Sequence, residues 1–152
     1  SLYKINSANE MLEKVDELMP NTDIFIGCAA VSDFKPSHYY ENKIKKEDLN
    51  FVDLELEKNK DILCHVAKVY KSSYVVGFAA ETKNVKENAR KKLLNKNLNM
   101  IISNDVSDKS IGFDSDQNEV NLITKSESIF LKKDKKIRIA REILKIISLN
   151  IN

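Results

Sequence analysis

Only three glycines, at positions 27, 77 and 112, occur in 152 residues. Neither a GxGxxG dinucleotide fingerprint nor a Walker phosphate loop can be written with them, because both need glycines clustered where backbone meets phosphate. The two cysteines, Cys28 and Cys64, form no CxxC pair. Flanked by apolar residues, they read as buried thiols of a reducing cytosol rather than as a disulfide or a zinc site. The two histidines, His38 and His65, lack metal-ligand spacing. No apolar run approaches the roughly 18 residues of a membrane span, and no segment has the pattern of a secretory signal. The expectation is a cytoplasmic protein with no membrane partner. An excess of one charge is missing too: 25 basic against 23 acidic side chains leave a net charge of +2, which argues against a nucleic-acid binder. Lysine supplies 22 of the 25 basic residues, so a lysine carries weight only where its position is unusual.

What is present fits one globular domain. The apolar fraction is 42%, enough for a core at this length. Ser7 to Glu10, "SANE", reads as a capping box, with Met11, Val15 and Leu18 following at helical spacing and Pro20 ending the helix. "DIFIGCAA" and "SYVVGFAA" are near-continuous apolar runs of strand length, the pattern of strands buried on both faces. "LNMIISN" is a third. "NFVDLEL" alternates, with Phe51, Leu54 and Leu56 about two residues apart, and reads as a further strand. Helices are expected from about Asn59 to Tyr70, from Lys83 to about Asn97, and from about Asp134 to Leu149 with Ile137, Ala140, Leu144 and Ile147 on one face. "EVNLIT" and "SIFLKK" read as a closing strand pair. The sum is an α/β, Rossmann-like, three-layer αβα fold, with a mostly parallel sheet and an antiparallel strand pair near the C-terminus.

In open parallel sheets ligands bind beyond the carboxyl ends of the strands. "AAVSDF", "GFAAET" and "SNDVS" mark three such ends, and two of them carry Ala-Ala followed by an acid, which favours a pocket over helix packing. Asp33 is a turn residue or a ligand to a metal or amine. Asn59 and Asp61 stand at a helix start, where capping and anion binding both suit them. "ENKIKK", Glu41 to Lys46, is a solvated loop or an arm that brings Lys43 onto phosphates. Counting about 100° per residue from Val85, Lys92 falls near about −20°, Lys96 near about +20° and Ala89 near about 40°. The two lysines therefore share the apolar sector, which a purely solvated face does not predict. "DSDQNE", Asp114 to Glu119, begins like a calcium loop, but Glu119 stands where the glycine is needed and Lys125 where the closing acid is needed.

In this order, "IFIGCAAVSDFKP", "KIKK", "LEKNKDIL", "YVVGFAAET", "ARKKLLNKNLNMIISNDVS" and "GFDSDQNEV" resemble phosphopantothenoylcysteine synthetase. This is the ligase portion of the bifunctional bacterial coenzyme A biosynthesis flavoprotein, and the likeness spans roughly residues 5–124. It implies a cytoplasmic enzyme joining 4′-phosphopantothenate to L-cysteine, with CTP as co-substrate and Mg2+ on its phosphates. CTP would activate the carboxylate as an acyl-cytidylate, releasing pyrophosphate; cysteine would then displace CMP. By the resemblance, Gly27, Cys28 and Ala29 contact the nucleotide, and Asp33 acts at the nucleotide or its metal. Asn59, Lys60, Asp61, Ile62 and Phe78 continue the pocket, and Lys92 and Lys96 bind nucleotide. Lys43 is the lysine of a catalytic flap. The resemblance also implies a homodimer and a longer protein fused to a flavin-dependent decarboxylase domain, where alone FMN would bind. Residues 1–152 then form a single domain lacking the family's opening glycine-rich segment. A nucleotide-binding or dimerisation module without catalysis is the alternative.

Overall fold

A computed structural model describes residues 1–38, 53–107 and 115–151. The order is α1 (Ala8–Leu18), a 3-10 turn (Met19–Asn21), β1 (Ile24–Gly27), β2 (Phe34–Pro36), β3 (Leu56–Lys58), α2 (Ile62–Val69), β4 (Tyr74–Glu81) and α3 (Val85–Asn95). It closes with β5 (Met100–Asp105), β6 (Gln117–Thr124), β7 (Ser128–Lys135) and α4 (Lys136–Ile151). Five strands form one sheet in the order β1-β4-β5-β6-β7, and β2 pairs with β3 in a separate ribbon. The β1–β4 and β4–β5 pairs are parallel, whereas β5–β6 and β6–β7 are antiparallel.

Alternation along the central strands splits the core into two layers. Val75, Ala79, Ile101 and Ile123 pack with Leu12 of α1, Val66 of α2 and Leu93 of α3. Val76, Met100, Ile102 and Leu122 turn the other way, onto Ile139, Ile143 and Ile147 of α4. The result is the αβα sandwich expected from the sequence, with three helices on one face and one on the other.

Local signals explain most boundaries. Ser7 Oγ accepts from the Glu10 N–H at 3.2 Å, and Glu10 Oε2 accepts from the Asn6 N–H at 2.7 Å, which completes the α1 cap. Helix α3 ends in a Schellman motif. Asn97 takes a left-handed φ of 54°, Leu98 N–H donates to Leu93 O at 2.9 Å, and Asn97 N–H donates to Leu94 O at 3.1 Å. Leu93 and Leu98 are both buried and supply the apolar contact typical of this cap. That geometry fixes Lys96 at the helix end.

Four details differ from the sequence reading. β1 is short and lies at the sheet edge, so Ile24 is exposed and Cys28 to Ala30 lie on the surface rather than in a strand buried on both faces. On α1, Leu12 is the buried residue and Leu18 is exposed. On α4, Ile137 and Leu144 face solvent, because the stripe Ile139, Ile143 and Ile147 is the one that meets the sheet. The strand expected over "NFVDLEL" is β3, which begins only at Leu56, with Leu54 and Leu56 both exposed; Phe51 lies outside the described residues.

Two of the glycines have a packing reason. Gly27 and Gly77 face each other across β1 and β4, and Leu63 of α2 sits over both. A Cβ at Gly77 would lie 2.6 Å from Leu63 Cδ2 and 3.0 Å from Leu98 Cδ1. Gly77→Ala is therefore expected to cost about 1–3 kcal/mol through overpacking, and Leu93→Ala about 3 kcal/mol through a cavity. Leu94→Ala, at an exposed position, should stay within about 0.5 kcal/mol of the parent. Urea unfolding measures all three, and equal midpoints for the two leucine variants would refute the assigned helix face.

Candidate functional site

A cleft opens at the carboxyl ends of β1 and β4, where topology favours ligands. Gly27 and Ala29 form one wall, the loop Val31 to Asp33 another, and the segment Asn59 to Leu63 a third, while Phe78 and Lys96 complete the rim. The enclosed volume is about 130 Å³, below the roughly 300 Å³ at which drug-sized pockets begin. It suits part of a nucleotide rather than a whole one.

Asn59 ties two walls together. Its Nδ2 donates to Ser32 O at 2.9 Å, and its backbone N–H donates to Asp33 O at 2.8 Å. Its Oδ1 is buried with no partner among the described residues. Asp61 caps α2, its Oδ1 accepting from the Cys64 N–H at 3.0 Å. Its Oδ2 lies 2.8 Å from Lys96 Nζ. Desolvation raises the Asp61 pKa, but the hydrogen bond and charge of Lys96 and the N–H groups of Cys64 and Leu63 outweigh it. The carboxyl is thus held below its ordinary value. One turn before Lys96, Lys92 pairs with Glu81 Oε1 at 2.7 Å.

The structure thus brings Gly27, Ala29, Asp33, Asn59, Lys60, Asp61, Ile62, Phe78 and Lys96 to one cleft. Cys28 is exposed beside this wall and does not line it, and desolvation holds its thiol above the ordinary pKa. Lys92 stands outside the lining. Lys43 lies outside the described residues, as does Asp114 of the calcium-like stretch. His65 Nε2 is 2.8 Å from Asp16 Oδ1, and Tyr70 donates to the same oxygen at 2.9 Å, which clamps α1 to α2. Sequence reading missed Leu63 and Glu81. Their signals were the paired glycines under Leu63 and the acid that follows Ala79-Ala80.

The chain matches, over residues 1–150, the family described as the DNA/pantothenate metabolism flavoprotein C-terminal domain. It belongs to that family. It is 39% identical over 149 residues to the coenzyme A biosynthesis bifunctional protein CoaBC of Borreliella burgdorferi, covering 97% of this chain and 37% of that protein. Against CoaBC of Escherichia coli K12 it is 44% identical, covering 78% of this chain and 30% of the relative. The crystal structure of a CoaBC C-terminal domain superposes with a TM-score of 0.77 at 36% identity, covering 97% of this chain and 64% of that one. Cab2 H337A in complex with phosphopantothenate-cysteine shares the fold at a TM-score of 0.60 and 16% identity. The chain therefore spans about a third of the length of the CoaBC proteins it matches. Among the described residues no helix is long and apolar enough to cross a membrane.

The Asp61–Lys96 pair generates a pH test. A folded-state pKa below the unfolded value stabilises the fold fully above about pH 3.9, and the gain is lost as pH falls through the folded-state value. Asp61→Asn keeps a good cap but removes the charge. The parent should exceed it by less than about 1 kcal/mol near pH 7, since the pair is part-exposed, and the gap should close on acidification below about pH 4. Asp61→Ala should lose about 1 kcal/mol more through the missing cap. A parent–Asn difference that widens on acidification, in chemical unfolding across pH, would reverse the sign.

Proposed function

We propose that this family member is the phosphopantothenate–cysteine ligase part of a coenzyme A biosynthesis protein, acting in the cytoplasm with CTP. The observation that carries the reading is the cleft at the β1 and β4 ends, where eight residues that the resemblance assigns to the nucleotide converge with Lys96. The CoaBC relatives support the pathway, and two free cysteines suit a reducing compartment.

A carboxylate is a poor acyl donor until one oxygen becomes a leaving group. Its attack on the α-phosphorus of CTP would form an acyl-cytidylate and release pyrophosphate. The cysteine amine would then attack the acyl carbon, form the amide, expel CMP and give up its proton to a base or solvent. Gly27 and Ala29 leave backbone open to the nucleotide, and Asn59 Oδ1 offers an acceptor at the wall. Lys92 and Lys96 would balance the phosphate charge, and Lys43 would bring a third ammonium to the reacting centre. No cluster of three or more metal-ligating side chains exists among the described residues. That fits Mg2+, which binds mainly through phosphates and waters with one or two carboxylates. Asp33 would be that carboxylate, and the ion would supply charge neutralisation and Lewis acidity.

A homodimer completes the proposal. Opposed residues of an antiparallel ribbon share a face, and on β2–β3 that face carries Phe34 and Leu56, both more than half exposed, with Leu54 beside them. An isolated two-stranded ribbon is marginal in water, so a second copy covering this face would stabilise it. Sedimentation equilibrium on the full-length protein should give twice the monomer mass, and Leu56→Asp should reduce it; a monomer at micromolar concentration sinks the dimer.

Calorimetry on the full-length protein should find CTP binding, with ATP and NADH weaker by about tenfold or more. Lys92→Ala combined with Lys96→Ala should remove phosphopantothenate-dependent pyrophosphate release by about 100-fold, through the loss of two charge-assisted contacts. Unchanged kinetics would return both lysines to a solvated face.

A further inference from the structure

Lys92 and Lys96 of the proposed nucleotide site are each held by a carboxylate, and the one holding Lys92 is almost sealed from water. The Glu81 side chain is 12% exposed, while Lys92 is 48% exposed. Burial of a charge that deep is costly unless it is paired and hydrogen-bonded. Lys92 Nζ forms an ion pair with Oε1 at 2.7 Å without hydrogen-bond geometry, and Asn88 Nδ2 donates to Oε2 at 3.3 Å and to Lys83 O at 2.9 Å. The carboxylate is therefore fixed by α3 from two sides, at the end of β4 and three residues beyond Phe78, which lines the cleft. Lys92 in turn precedes Lys96 by one turn, about 6 Å along the helix.

We propose that Glu81 is a positioning residue of the nucleotide site: its buried carboxylate anchors the Lys92 ammonium beside the cleft, so that the remaining N–H donors meet the phosphates without an ordering cost. This rests on the nucleotide reading above and names a residue that reading does not use. An ammonium carries three donors. The ion pair with Glu81 holds the charge in place while the donors turn outward through the exposed half of the side chain, so ligand and anchor need not compete. A lysine freed of its anchor must be ordered anew at binding, at a cost that weakens affinity by about fivefold.

The test is a double-mutant cycle in the full-length protein with Glu81→Gln, Glu81→Asp, Lys92→Met and the Gln/Met pair. The readouts are CTP affinity by calorimetry and kcat and KM for pyrophosphate release. Glu81→Gln keeps the shape and an acceptor for Asn88, and should weaken CTP about fivefold, with KM rising more than kcat falls. Glu81→Asp, which keeps the charge, should restore much of the loss. In the Lys92→Met background Glu81→Gln should change CTP affinity by less than about twofold, because the anchor then holds nothing. Parent-like CTP affinity in Glu81→Gln, or full additivity with Lys92→Met, overturns the role while leaving the nucleotide site standing. Absence of CTP binding by the parent protein overturns both.

Discussion

The close approach of α2 to the sheet is the constraint from which the rest of the site follows. Gly27 and Gly77 lie opposite each other on β1 and β4, and Leu63 rests on both. With side chains at these positions α2 would be lifted, because a Cβ at Gly77 would already collide with Leu63. Seated as it is, the helix delivers Asn59 to Ile62 to the strand ends. Asn59 then fastens the loop after β1, and Asp61 reaches the end of α3. Two of the chain's three glycines thus act through close packing, letting α2 bring its N-terminal end to the cleft.

Electrostatics at the cleft is one of borrowed charge. The lysines of α3 flank its buried stripe, Ala89 and Leu93, and would be poorly placed there without acids to meet. Glu81 from the strand and Asp61 from the next helix supply those acids. The Schellman turn at Asn97 stops α3 where Lys96 can reach Asp61. Capping, helix length and ion pairing are consistent with one another, as expected where local and global preferences agree.

Much of this was legible beforehand because it rests on short-range signals. The Ser7 cap and the α3 register needed only spacing, and the angular place of Lys92 and Lys96 put both beside the apolar stripe, where each meets an acid. Asp33, Asn59 and Asp61 looked ambiguous because capping and ligand binding use the same residue types; only the fold brings them to one cleft. The edge position of β1 was illegible, since a buried run and an edge run can share a composition when the strand order is unknown. On α4 two apolar stripes compete, and the choice of Ile139, Ile143 and Ile147 over Ile137 and Leu144 depends on where β7 ends and the helix begins. The acid after Ala79-Ala80 pointed to a pocket, but nothing local showed that Glu81 lies under α3 against Lys92.

The order of the strands also divides the fold into a local part and a long-range part. β6 and β7 meet across a short turn, Thr124 to Glu127, held by the Thr124 hydroxyl, and α4 follows without a break. β1 must find β4 across the ribbon and α2, with Ile24 pairing to Tyr74. Closing that longer loop costs more chain entropy. The antiparallel end with α4 is held by contacts close in sequence, whereas the parallel end, where the cleft lies, is held by contacts between segments far apart in the chain.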